Sequence, residues 1–388
     1  MEIFWATRLR GFLRHMSQHM QNVTFADSGQ YYEVAGLRSK LASKLIRSPL
    51  LDPIGLFQIL KVSGKNCDYY GSFNRFLQAD KPYFIYLENP TALYHYALGR
   101  IRFPAGRKRF AACLNDPNLK FIVCMSDACR STFEKINMLL PEHVKLRTIY
   151  PFVPQNPHAD EERIREKCFA PVLECLYCVQ GKSFYNKGGR DILNVVARLQ
   201  DAGLRIHLTV ITNIDALAPD TVEVLRSREN MTLHDFTFSY QEMEQVYAKT
   251  ALLLQPSSAD SCPLTVLEAI KGGCAVLGSK LYAIPEMVSH GVNGSLIDPK
   301  YWTFFPDNMP NPAAWGQKNK HRLMRLPSEK YTDDIEQAIR ELYEDRGKLF
   351  DYAIRAKQIG DSKFGEDTIC TQWQEVWDTL KGLDRNEV

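Results

Sequence analysis

Between Leu173 and Ser279 short apolar runs alternate with helical periods, and this alternation limits the fold more than any other feature of the chain. "LECLYCVQ" (173–180) is a nearly continuous apolar run. "GRDILNVVARLQDAG" follows, with Ile192, Val195, Val196 and Leu199 on one helical face and Gly203 at its end. "RIHLTVIT" (205–212), "MTLHDFTF" (231–238), "ALLLQPS" (251–257) and "CAVLGS" (274–279) read as further strands. Helical stretches around 219–228, 239–250 and 263–271 separate them. A strand that returns to its sheet through a helix pairs parallel. The second half therefore predicts a doubly wound parallel α/β sheet.

The first half shows the same rhythm less clearly. "PYFIYLEN" (82–89) and "KFIVCMS" (120–126) read as buried strands that end in polar residues and lead into helical stretches. The proline-bearing segment 147–162 marks the boundary, giving domains over 1–150 and 151–365 and a last segment over 366–388. Residues 299–322, rich in proline and aromatics, read as a loop insertion at the rim of the second domain. A length of 388 residues, 45% hydrophobic, fits two soluble domains. No run approaches the roughly 18 apolar residues of a membrane span, and the N-terminus does not read as a secretion signal. Ten scattered cysteines favour free thiols in a reducing compartment, hence a cytoplasmic location. Charge divides unevenly. Residues 1–150 hold 21 Lys and Arg against 11 Asp and Glu, a balance of +10, and the remainder 27 against 34, a balance of −7.

The chemistry is densest at "ADSCPLTVLEAIKGG". Asp260 follows the strand 251–257, so it lies on the carboxyl edge of the sheet, where such folds bind ligands. Pro263 suits the first turn of a helix, whose free N–H groups and positive dipole end then face that edge. Glu268 lies about one and a half turns further on. Carboxylates beside an anion-binding helix end suit a ligand with both phosphate and hydroxyls, and a sugar nucleotide is one. "GKSFYNKGGR" adds Gly181, Lys182 and Lys187 in the loop after the strand 173–180, a plausible diphosphate clamp. No Asp-x-Asp pair occurs, so a metal-bridged diphosphate is not expected and protein cations would neutralise the leaving group. The plain alternative is a surface acid, a capping acid and solvated lysines.

"GKSFYNKGG", "FTFSYQEMEQVYAKTALLLQPSSADSCPLTVLEAIKGGCAVLGS" and "AIPEMVSHGVNGSLIDP" stand in the order and spacing of family 4 of the retaining glycosyltransferases, which residues 147–298 resemble. The resemblance implies the GT-B architecture of two facing Rossmann-like doubly wound parallel-sheet domains, with a last helix packed back on the first domain. It implies a hexosyltransferase that retains anomeric configuration, needs no metal or cofactor, and uses a nucleotide sugar, with UDP as the expected nucleotide. Lys182 and Lys187 would stabilise the leaving diphosphate, Asp260 would bond the transferred sugar and Glu268 the ribose. Gly181 and the turn Ser261, Cys262, Pro263, Leu264 and Thr265 would line the donor. The sequence departs from the family at several points: the loop reads Ser261-Cys262 where Phe-Gly is frequent, and the glycine-rich turn after the first strand is missing. Asp260 stands where glutamate is usual, and Lys182 where arginine is usual, which loses bidentate geometry.

The first domain resembles the family only thinly. Glu88 and Asn89 end a strand on the proper edge, and His95 follows; each is a candidate for the acceptor or crevice, against plain capping or a satisfied helix histidine. Arg100, Arg102, Arg107, Lys108 and Arg109, with Phe103 and Phe110 interleaved, could meet anionic lipid at the inner face of the plasma membrane, or be a solvated loop. No groove-reading motif or stacking platform supports nucleic-acid binding. Cys175 and Cys178 lie inside a strand and read as buried thiols. The leading expectation is sugar transfer to a glycan or lipid-linked acceptor in surface polysaccharide synthesis. A catalytically silent GT-B subunit and a nucleotide-sugar epimerase stay open beside it.

Overall fold

A computed structural model of the protein describes residues 1–27, 48–136 and 138–385. The chain forms two units, Met1–Phe152 with the segment from Glu366 onward, and Val153–Gly365.

In the first unit the strands are β1 (Glu2–Trp5), β2 (Thr24–Asp27), β3 (Leu60–Val62), β4 (Tyr69–Phe73), β5 (Leu77–Ala79), β6 (Tyr83–Leu87), β7 (Leu119–Cys124) and β8 (Lys145–Thr148). Six of them form one sheet in the order β2-β1-β4-β6-β7-β8, and every pairing is parallel. The strands β3 and β5 pair separately. Each residue of β4 and β6 is buried, as expected when both faces of a central parallel strand are covered. The helix Glu366–Arg385 covers one face of this sheet. Its Trp373 and Trp377 are fully buried, with ring centroids 5.8 and 5.2 Å from Phe84. The helix Asp127–Lys135 begins at Ser126, whose hydroxyl accepts the Cys129 N–H at 3.0 Å.

The second unit holds β9 (Leu173–Cys178), β10 (Ile206–Ile211), β11 (Met231–His234), β12 (Leu252–Gln255), β13 (Ala275–Ser279) and β14 (Gly294–Ile297). Their order is β11-β10-β9-β12-β13-β14, all parallel. Counted within the unit this is 3-2-1-4-5-6, the dinucleotide-fold order. The helix Gly189–Asp201 buries Ile192, Val195, Val196 and Leu199 on the sheet.

Two expectations need correction. The strand expected over 231–238 ends at His234, because Asp235 turns the chain: its carbonyl accepts the Thr237 N–H and its carboxylate the Ile214 N–H, leaving Phe236 exposed. The rim segment is not all loop, because Gln317–Arg325 is a helix.

Candidate functional site

The strand order reverses between β9 and β12. From β9 the chain crosses towards β10 and β11, and from β12 it crosses the other way to β13. The loops leaving these two neighbours therefore diverge and open a crevice at their carboxyl ends. Both candidate segments are these loops.

The loop after β9 turns tightly through Gly181–Ser183. The Gly181 N–H donates to Asn213 Oδ1 at 3.0 Å, and a Cβ here would lie 2.7 Å from the Asn213 carbonyl, so only glycine fits. Gly188, at φ +91°, closes the loop in a left-handed conformation and leads into the helix Gly189–Asp201. This sets Lys187 against the loop after β12. The Ser258 N–H donates to the Asn186 carbonyl at 3.4 Å, and Lys187 Nζ lies 2.6 Å from Asp260 Oδ2. Gln255, the last residue of β12, donates its amide to the same oxygen at 2.9 Å. Asp260 and Lys187 are thus a largely buried ion pair at the switch point. The side chain of Lys182 lies outside the described residues; its backbone is in the Gly181–Ser183 turn.

The turn Ser261–Pro263 leads into the helix Leu264–Lys271, whose first turn, including Thr265, carries no side-chain cap. Cys262 and Pro263 are buried, while Ser261, Leu264 and Thr265 are partly exposed. Glu268 rises from this helix and accepts the Tyr247 hydroxyl at 2.8 Å. Desolvation pushes its carboxyl pKa above the usual range, and the tyrosine bond opposes that shift. Burial holds the Cys178 thiol, at the end of β9, up to about 12, with Glu268 raising it further and Lys187 lowering it. Gly181, Lys187 and Asp260 thus lie at one sheet edge, with Glu268 on the helix that follows Asp260. Tyr247 and Gln255 were missed by sequence reasoning. A polar residue closing the run "ALLLQ" was the available signal for Gln255.

The first-unit candidates are placed differently. Glu88 sits at the end of β6, where its N–H donates to Asn74 Oδ1 at 2.8 Å and its carboxylate accepts from Asn74 Nδ2 at 3.5 Å. Asn89 is buried and caps a short 3-10 turn, accepting the Thr91 N–H at 2.9 Å. His95, also buried, takes a left-handed φ of 58°, and its Nε2 accepts the Gln58 N–H at 3.0 Å. Arg100 is not available to an anionic surface: it is fully buried and pairs with Asp52 at 3.4 Å. Arg109 is also committed, donating to the Phe57 carbonyl at 3.1 Å. Cys175 and Cys178 are buried and form no disulfide.

Residues 176–309 match the family described as "Glycosyl transferases group 1". The match lies wholly within the second unit. The N-acetyl-alpha-D-glucosaminyl L-malate synthase of Bacillus anthracis is 22% identical to the chain over 201 residues, 47% of this chain and half the length of that relative. Among solved structures, Anabaena HepE, in complex with UDP and glucose, superposes with a TM-score of 0.60 at 14% identity, covering 97% of this chain and 99% of HepE. WaaG, a glycosyltransferase involved in lipopolysaccharide biosynthesis, gives 0.56 at 14% identity, over 98% of this chain and all of WaaG. These likenesses establish the fold as GT-B.

Proposed function

We propose that the protein is a retaining hexosyltransferase that moves a sugar from a UDP-sugar to a glycan or lipid-linked acceptor in surface polysaccharide synthesis. The observation that carries this reading is the Lys187–Asp260 pair, 2.6 Å apart at the topological switch point, with Glu268 on the next helix. HepE in complex with UDP and glucose and WaaG's part in lipopolysaccharide synthesis support the donor class and the pathway type.

Without donor, Lys187 and Asp260 neutralise each other. A diphosphate is a stronger anionic partner than one carboxylate, so it draws the ammonium and frees Asp260 to accept sugar hydroxyls. Glu268, oriented by Tyr247, accepts the ribose hydroxyls. The acceptor hydroxyl then enters on the face from which the diphosphate leaves. The bond from the anomeric carbon to phosphate oxygen breaks as the new glycosidic bond forms, and a phosphate oxygen takes the acceptor's proton. Negative charge grows on the leaving group, so each preorganised cation aimed there lowers the barrier by about 3–4 kcal/mol. Lys187 and Lys182 supply that charge in this reading, and no metal or cofactor is required. The reading of a membrane-linked acceptor is supported by the exposure of Leu50, Ile54 and Phe103 together with Arg102, Arg107 and Lys108 in the first unit.

A thermal-shift panel of UDP-, GDP- and ADP-sugars, followed by release of free nucleoside diphosphate, tests the reading. A selective rise in melting temperature with UDP-sugars, and slow UDP release, is expected. Stabilisation without any release over a long incubation would favour a silent subunit, and an exchanged sugar stereocentre an epimerase.

A further inference from the structure

The chain between β14 and the helix Glu329–Glu344 abandons the strand–helix alternation and folds over the two loops of the site. The Tyr301 N–H donates to Ser258 Oγ at 3.3 Å, and the Tyr301 hydroxyl donates to Asn186 Oδ1 at 3.3 Å. Thr303 Oγ1 donates to the Ser258 carbonyl. The segment is thus tied to the residue beside Lys187 and to the loop carrying Asp260. Beyond these ties, Phe304 stacks on Tyr282 with centroids 4.1 Å apart, and Trp315 packs edge-on to Phe304 at 5.4 Å. The helix Gln317–Arg325 starts there and holds the Lys320 ammonium 5.6 Å from the centroid of the Trp315 ring.

Lys320 occupies an unusual place for a lysine. Desolvation lowers its pKa first; Asp260 raises it and Lys187 lowers it, so the two charges it feels are the pair at the switch point. Among the described residues its ammonium forms no hydrogen bond or ion pair, although a lysine could turn to water at little cost. A desolvated cation without a bonded anion is costly unless an anion enters. The Lys187–Asp260 pair is net neutral, so of the cations on the two loops only Lys182 adds net positive charge for a diphosphate.

We propose that Lys320, held by Trp315 on the segment folded over both loops, is a further cation of the donor site and binds the diphosphate that Lys187 faces. This rests on the donor reading above. The diphosphate then lies between ammonium groups from two directions, one from the loop after β9 and one from the rim helix.

Calorimetric titration of wild type, Lys320→Met and Lys320→Arg with UDP, UMP and uridine tests this. Lys320→Met is expected to weaken UDP by about tenfold or more, as for a hydrogen bond to a charged group. It should weaken UMP less and leave uridine unchanged, and Lys320→Arg should recover most of the UDP affinity. Unaltered UDP affinity in Lys320→Met would overturn the inference. So would equal losses for UDP and uridine, which would mean a structural role. Should Lys320→Met fail to fold by circular dichroism, Lys320→Gln replaces it. If the wild type binds UDP and only the Lys320 inference fails, the donor reading stands. If the wild type binds no nucleoside diphosphate, the donor reading fails and this inference with it.

Discussion

Lys187 and Asp260 share one ion pair, yet their removal should have different results. Lys187→Ala deletes a charge aimed at the leaving group and is expected to lower kcat by about 10²–10³-fold. It also leaves Asp260 largely buried without its partner, so the melting temperature should fall as well. Asp260→Asn frees the lysine. UDP should bind at least as tightly as in the wild type while sugar transfer is lost, a split that calorimetry and a turnover assay resolve. Loss of UDP binding in Asp260→Asn would mean that the carboxylate holds the nucleotide rather than the sugar. Glu268 carries a pH signature. Its folded pKa is raised by desolvation, so ionising it costs the folded state more than the unfolded chain. Stability is therefore lost as pH rises from the ordinary carboxylate range through the folded pKa. Glu268→Gln should melt higher than the wild type at pH 7, with the gap closing near pH 4, while donor affinity falls. A gap that widens towards acid would reverse the assigned sign.

At the scale of elements the C-terminal helix offers the plainest test. Trp373 and Trp377 stack 4.9 Å apart, and their rings meet Phe84, Tyr86 and Phe25 of the first unit's sheet. Trp377→Ala empties a buried ring site and should cost about 3–5 kcal/mol of unfolding free energy, read by urea denaturation of the full chain. A loss below 1 kcal/mol would show that the helix is not part of that core. The aromatic spacing of this helix was plain in the sequence because 3.6-residue periodicity records a single buried face. The strands of the second unit were equally plain, since central parallel strands are apolar throughout. The first unit was read only at β6 and β7. Its β4, "YYGSF", is fully buried but reads as a mixed segment, because burial there comes from rings of neighbouring strands and not from an aliphatic run. At the site, Asp260 and Glu268 stood out by spacing, and Lys187 by its glycine-flanked loop. Tyr247 lies on another helix and Lys320 on the rim segment, and only tertiary folding brings Tyr247 to Glu268 and the rim segment over the site loops, so no local pattern could mark them.

On the scale of the whole molecule, charge and exposed apolar surface coincide. The excess of cations in residues 1–150 is shared by a region that also exposes Leu50 at 84%, Ile54 at 63% and Phe103 at 41%. Arg100 links the segments carrying them, pairing with Asp52 and donating to the Ser48 carbonyl at 3.4 Å, while Gly55 packs against the backbone of Gly106. The apolar tips and the exposed Arg102, Arg107 and Lys108 therefore belong to one structural neighbourhood. No helix among the described residues is long and apolar enough to cross a membrane, and the contact proposed for this patch is interfacial. Such contact combines burial of apolar tips with about 1 kcal/mol per cation near anionic headgroups. Vesicles rich in anionic lipid should sediment the protein, neutral phosphatidylcholine vesicles should not, and raised salt should weaken the association because the charge term is screened. Replacing Leu50, Ile54 and Phe103 with serine should abolish sedimentation while UDP binding in solution, which the proposed donor site assigns to the second unit, persists. Vesicle binding that survives all three replacements would move the contact elsewhere on the chain. Binding that ignores both lipid charge and salt would remove electrostatics from the account and leave the charge asymmetry without a role at the membrane.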